Sequence, residues 1–117
     1  MLRLYRAALN SWNGLRAAAR SEEAFRQELV AFVLAVPAAF LVATTAWRWV
    51  ALVGVIVVLM VAELLNTAIE KLSDHVTPHN HPAIGLVKDM ASAAVGLSLL
   101  LAGLVWAVAL AERLGLL

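Results

Sequence analysis

Residues 49–70 read WVALVGVIVVLMVAELLNTAIE. From Trp49 to Ala62 the segment is uncharged and rich in branched aliphatic residues. It then admits Glu63, Asn66 and Glu70 without a turn signal, and Asp74 follows. Trp49–Ala62 is too short to cross the ~30 Å hydrocarbon core at ~1.5 Å per residue. The span is completed only by continuing through Glu63 and Asn66 to about residue 69. At about 100° per residue, Glu63, Glu70 and Asp74 fall within roughly 20° of one direction, with Asn66 and Thr67 within about 60° of it. The acids form one stripe. Glu63 lies about 21 Å along the helix from Trp49, short of the far interface by about 9 Å. That is the depth at which a lipid headgroup can meet a water-soluble reagent.

Two further apolar segments flank this one. Leu29–Trp47 carries no charge and approaches spanning length, with Pro37 as a tolerable kink. Met90–Ala111 is uncharged and is the clearest span. The chain has 117 residues, of which 63% are hydrophobic and 15% charged, with net charge +1. That hydrophobic share exceeds the roughly 45–50% of soluble domains and points to an integral membrane protein of one domain. Cysteine is absent, which excludes disulfides, thiolate metal sites and a cysteine nucleophile.

Residues 2–20 read as an amphipathic helix. Leu2, Tyr5, Leu9, Trp12 and Ala19 lie near one face, and Arg3, Arg6, Asn10, Asn13 and Arg20 lie away from it. That pattern suits a helix lying in the membrane interface, with a possible bend at Gly14. Its scattered arginines do not resemble a cleavable signal. Ser21 is a candidate N-cap, with Glu22 and Glu23 in the following first turn and Arg26 placed to pair with Glu22. Ser73–Gly85 reads as a loop, SDHVTPHNHPAIG. Arginine and lysine concentrate in the N-terminal segment and beside this loop. Both are therefore expected in the cytoplasm and the C-terminus outside.

The stripe needs a cation, because a carboxylate at membrane depth is costly unless paired, protonated or facing a polar cavity. Lys71 points about 80° away from it on an ideal helix, so a divalent cation is the better neutraliser. Carboxylate oxygens suit magnesium, which commonly combines one or two carboxylates with phosphate oxygens. Glu22 is a second candidate ligand, or simply a first-turn acid. Lys88 is placed to hold a phosphate or to mark the membrane boundary. His79 and His81 could bind a transition metal but fit a solvent-facing loop better. No Walker loop, dinucleotide fingerprint or serine-hydrolase elbow is present. Three classes remain open on residues alone: a kinase, a small proton-coupled transporter with Glu63 as proton carrier, and a noncatalytic assembly protein with structural acids.

SWNGLRAA at 11–18, EEAFRQE at 22–28, AELLNTAIE at 62–70 and KDMASAAV at 88–95 closely resemble the prokaryotic diacylglycerol kinase family in order and spacing, over almost the whole chain. TPHNHP at 77–82 also resembles the related undecaprenol kinases. The resemblance implies an all-α integral membrane fold with an interfacial helix at 2–20 and transmembrane helices at about 24–47, 49–72 and 88–111. It further implies a homotrimer with active sites shared between subunits, in the bacterial inner membrane, that transfers the γ-phosphate of MgATP to diacylglycerol. By the same resemblance Glu63 is the catalytic base, Glu22 and Glu70 are the metal ligands, and Asn66 is their polar neighbour. Arg3, Asn10, Glu22, Glu70, His79, Asn80, His81, Lys88 and Asp89 match nucleotide positions. Arg3, Ala8, Ser11, Trp12, Arg16, Ala24, Phe25, Arg26, Gln27, Glu28, Trp49, Glu63 and Ser92 match lipid positions. Asn10 departs from the family pattern, in which an aromatic can stand there.

Overall fold

A computed structural model describes residues 1–117 as four helices and no strand: α1 Leu2–Ser21, α2 Glu23–Val42, α3 Ala46–Val76 and α4 Pro82–Arg113. The last three are each long and apolar enough to cross a membrane. α3 packs against both α2 and α4, while α1 packs mainly against α2 and more sparsely. The molecule measures 53 × 41 × 22 Å. The long dimension matches α3 and α4 at ~1.5 Å per residue. The 41 Å width exceeds three helices side by side at about 8–10 Å spacing, so α1 reaches out laterally.

Small residues set the packing. Ala35 and Ala39 on α2, Ala62 on α3, and Ala91, Ala102 and Ala109 on α4 are buried. Side chains of this size let helix backbones approach where hydrophobic burial gives no drive between helices in lipid. Leu52 is fully buried in a cluster with Ala39 and Ala109. Two indoles pin the same region: Trp49 Nε1 donates to the Val36 carbonyl at 3.1 Å, and Trp106 Nε1 donates to the Leu52 carbonyl at 3.0 Å. The buried residues of α3 recur as Leu52, Val55, Leu59, Ala62, Glu63, Thr67 and Ser73. Glu63 therefore sits on the packed face of the helix.

The helix ends differ from the sequence expectation for local reasons. Ser21 does not cap α2. Its hydroxyl donates back to the Ala17 carbonyl at 2.9 Å, which keeps it in α1. Glu22 takes extended backbone angles between the two helices (φ −119°, ψ 115°) and no side-chain cap forms. Arg26 does not pair with Glu22; its guanidinium donates to the Ala19 and Arg20 carbonyls and closes the end of α1. α1 runs unbroken through Gly14. α2 ends at Val42 rather than near residue 47, because Thr45 caps α3 by accepting from Arg48 N. The connection before α4 contracts to residues 77–81. Pro82 occupies the first turn of α4, where a missing N–H is harmless, and His81 Nδ1 caps it by accepting from Ala83 N. At the other end of α4, Gly115 adopts φ +77°. Its N–H reaches Glu112 O and that of Leu116 reaches Ala111 O, a Schellman closure that requires a left-handed residue.

Candidate active site

Four glutamates converge where α1, α2 and α3 meet. The break at Glu22 exposes that carboxylate at the head of α2. Glu28 follows on α2, and Glu63 and Glu70 face them from α3. Glu63 is 8% exposed; the charges of Glu70 and Glu22 both act on it, and it acts in turn on Glu28. Asn66, one turn from both α3 acids, donates from Nδ2 to Glu70 Oε1 at 3.5 Å. Two buried acceptors here, Glu28 Oε1 and Asn66 Oδ1, have no hydrogen-bond partner. Buried acceptors are rarely left so, and this pair marks a place that a donor or a cation completes.

One cation of the chain approaches the cluster. Lys71 does not stay aloof as its helical angle suggests, because Glu22 comes from a different helix. Lys71 Nζ stands 4.0 Å from Glu22 Oε1. The donor set is otherwise all hard oxygen. No three acidic or histidine side chains alone close into a metal-ligating group.

A second concavity, of about 470 Å³, lies at the α3–α4 connection. Thr77, His79, Asn80 and His81 line it, together with Asp74 and Lys88, whose side chains form an ion pair across its mouth. Lys88 is therefore partnered by the one acid of the stripe to which the sequence assigned no task. Asp74 lies one turn beyond Glu70, so this concavity adjoins the carboxylate cluster along α3. With Nδ1 engaged as a helix cap, His81 is poorly placed as a metal ligand.

The other sequence candidates are dispersed. Arg3, Ala8, Asn10, Trp12 and Arg16 are exposed along α1, as are Asp89 and Ser92 on α4. Ala24, Arg26 and Gln27 are exposed on the first turns of α2, whereas Phe25 is fully buried. Trp49 lies about 21 Å along α3 from Glu63, its ring tilted by 36° against that of Phe40 at 5.2 Å. Ser11 lines a cavity between α1 and α3 that also includes Thr67 and Lys71. Sequence reasoning gave no role to Thr67, Lys71 or the Asp74–Lys88 pair. The ELLNTAIEK segment contains both of the first two, but only the fold shows which neighbour each one meets.

Three helices able to span a membrane, with carboxylates gathered beside a polar concavity, put hard oxygen groups within reach of a lipid surface. The prokaryotic diacylglycerol kinase family profile matches residues 9–110. A diacylglycerol kinase of Escherichia coli K12 is 41% identical over 113 residues, covering 97% of this chain and 93% of that protein. Those of Pseudomonas aeruginosa and Haemophilus influenzae are 36% and 32% identical, covering 92% and 82% of this chain and 88% and 81% of theirs. The chain belongs to the prokaryotic diacylglycerol kinase family. It is a membrane lipid kinase, and the transporter and assembly-protein readings fall away.

Proposed function

We propose that the carboxylate cluster at Glu22, Glu28, Glu63 and Glu70 is the place where the chain uses ATP to phosphorylate diacylglycerol. The observation that supports this reading most is the pair of orphaned acceptors, Glu28 Oε1 and Asn66 Oδ1, beside a buried Glu63. A lipid hydroxyl supplies a donor to such a site. Glu63 orients that hydroxyl and accepts its proton as the oxygen attacks the γ-phosphorus. The bond from the γ-phosphorus to the bridging oxygen breaks, and ADP leaves with that oxygen's electron pair. Phosphoryl transfer depends mostly on positioning and charge neutralisation, which suits a chain without a soluble nucleotide fold. Glu22 and Glu70 would hold magnesium, which supplies neutralisation of the phosphate oxygens when bound with ATP.

The nucleotide extends from there towards the α3–α4 connection, where Lys88, Asp89 and the segment His79–His81 receive it. Arg3 and Asn10 add contacts from α1. α1 lies in the cytoplasmic interface of the inner membrane as an amphipathic helix. Ala8, Ser11, Trp12 and Arg16, the stretch Ala24–Glu28, and Trp49 and Ser92 line the lipid's path. The N-terminus and the α3–α4 connection face the cytoplasm and the C-terminus faces outside. Residues 1–117 act as one domain. One chain leaves the cluster open on one side, and neighbouring subunits of a homotrimer close it.

The test uses purified chain in mixed micelles with labelled ATP and a panel of lipid alcohols. Label is expected in phosphatidate, and Glu63→Gln is expected to lower kcat by about 10²–10⁴-fold, the range of a positioned general base. Full turnover in a folded Glu63→Gln variant removes Glu63 from the base role. Strong preference for undecaprenol moves the acceptor while leaving the cluster assignment intact.

A further inference from the structure

The cavity between α1 and α3 adjoins the lipid's path at Ser11 but contains none of the four glutamates. It holds about 410 Å³ and is lined by Ser11, Leu15 and Ala18 on α1 and by Leu64, Thr67 and Lys71 on α3. Its walls are apolar, with three polar side chains. Thr67 is only 6% exposed and lines this cavity. It stands one helical turn beyond Glu63. Lys71 closes the cavity and is held loosely: its contact with Glu22 is 4.0 Å, and the two side chains are 61% and 31% exposed. An exposed pair of this kind contributes little and breaks easily.

The two lipids of the reaction differ in charge at this end. Diacylglycerol is neutral. Its product carries a phosphomonoester of about −1.5 to −2 at neutral pH. Of the two lipids, only the product offers Lys71 a better partner than Glu22. We propose that the α1–α3 cavity holds the phosphomonoester headgroup of the product lipid, with Lys71 moving from Glu22 to the phosphate and Thr67 donating a hydrogen bond to it. The apolar walls receive the glycerol backbone and the first acyl carbons. This assignment rests on the reading that transfer occurs at Glu63, one turn away. Its consequence is selective retention of product: Lys71 sets product inhibition rather than capture of substrate.

Binding of phosphatidate to the full chain in detergent micelles, followed by ³¹P NMR without nucleotide, tests the proposal independently of turnover. Lys71→Met is expected to weaken phosphatidate binding about tenfold more than it changes the KM for diacylglycerol, as for loss of a charge-assisted hydrogen bond. Lys71→Arg should keep most of the affinity, and Thr67→Val should lose several-fold. Unaltered phosphatidate binding in folded Lys71→Met overturns the proposal. So does an equal loss for both lipids. Inorganic phosphate that competes as well as phosphatidate at equal concentration overturns the lipid assignment. Because phosphatidate binding is read without turnover, an active Glu63→Gln enzyme would defeat the transfer site while leaving that binding measurement to stand or fall alone.

Discussion

Asp74 and Lys88 pair across the mouth of the α3–α4 concavity with side-chain exposures of 64% and 37%. A pair this wet adds little to folding, so its value lies in where it holds the ammonium. One of three ammonium donors serves Asp74 and the others remain for phosphate. Asp74→Asn is therefore expected to raise the KM for ATP several-fold while thermal unfolding in detergent hardly moves; a large stability loss with unaltered KM would contradict this. Glu28 presents the opposite balance. Its Oε1 is buried without a partner, an arrangement that lowers stability by ~1–3 kcal/mol. A site that needs such a group gives up stability for function. Glu28→Met, which removes the unpaired acceptor at similar volume, should then raise stability by ~1 kcal/mol or more while turnover falls, and a variant both less stable and fully active would refute it. Among these residues, the Glu63–Glu70–Asp74 stripe is legible from helical period alone. The meetings of Glu22 with Lys71 and of Asp74 with Lys88 are not, because each joins two helices whose relative rotation no single-helix periodicity encodes.

The elements were legible where composition is extreme and less so at their ends. Three uncharged runs announce three spanning helices, and α1 is foreseen from its alternating faces. The ends turn on single hydrogen bonds. Ser21 looks like a cap until its hydroxyl turns back to Ala17, and Pro82 looks like a loop residue until it takes the first turn of α4. In the sequence, Arg48 and Glu112 simply border uncharged runs. They form a two-bond clamp at 2.9 and 3.0 Å between the start of α3 and the end of α4, a contact that their separation in sequence conceals. Near this clamp, Leu52 is fully buried against Ala39 and Ala109. Leu52→Ala should cost roughly 2–5 kcal/mol, the usual range for a buried leucine. Leu52 lies about 16 Å along α3 from Glu63. Folded Leu52→Ala protein should therefore keep near-parental kcat, measured beside its unfolding midpoint in detergent. A collapse in kcat with unaltered unfolding would place Leu52 in the catalytic path instead.

At the scale of the whole molecule, only 14 of 117 residues are buried within one chain, far fewer than a folded domain in water could sustain. Lipid covers part of the remaining apolar surface. The proposed homotrimer covers another part, and α4 suggests where. Its buried alanines, Ala91, Ala102 and Ala109, face α2 and α3, while Ser92 and Gly96 stand exposed on another side. Small residues four apart permit close approach of a second helix. Gly96 is exposed and a Cβ added there meets nothing within 4 Å inside the chain, so Gly96→Leu starts its added bulk in open space. Leucine also has better helix propensity than glycine. If this face joins subunits, Gly96→Leu should leave circular dichroism intact, shift detergent-solubilised protein from trimer to smaller species in cross-linking and native mass measurements, and lower turnover in parallel with trimer loss. If Ser92 and Gly96 face lipid, the variant stays trimeric and active, and the subunit contact must be sought elsewhere. Loss of turnover in a variant that remains fully trimeric would instead place this face at the lipid substrate, where Ser92 is already expected.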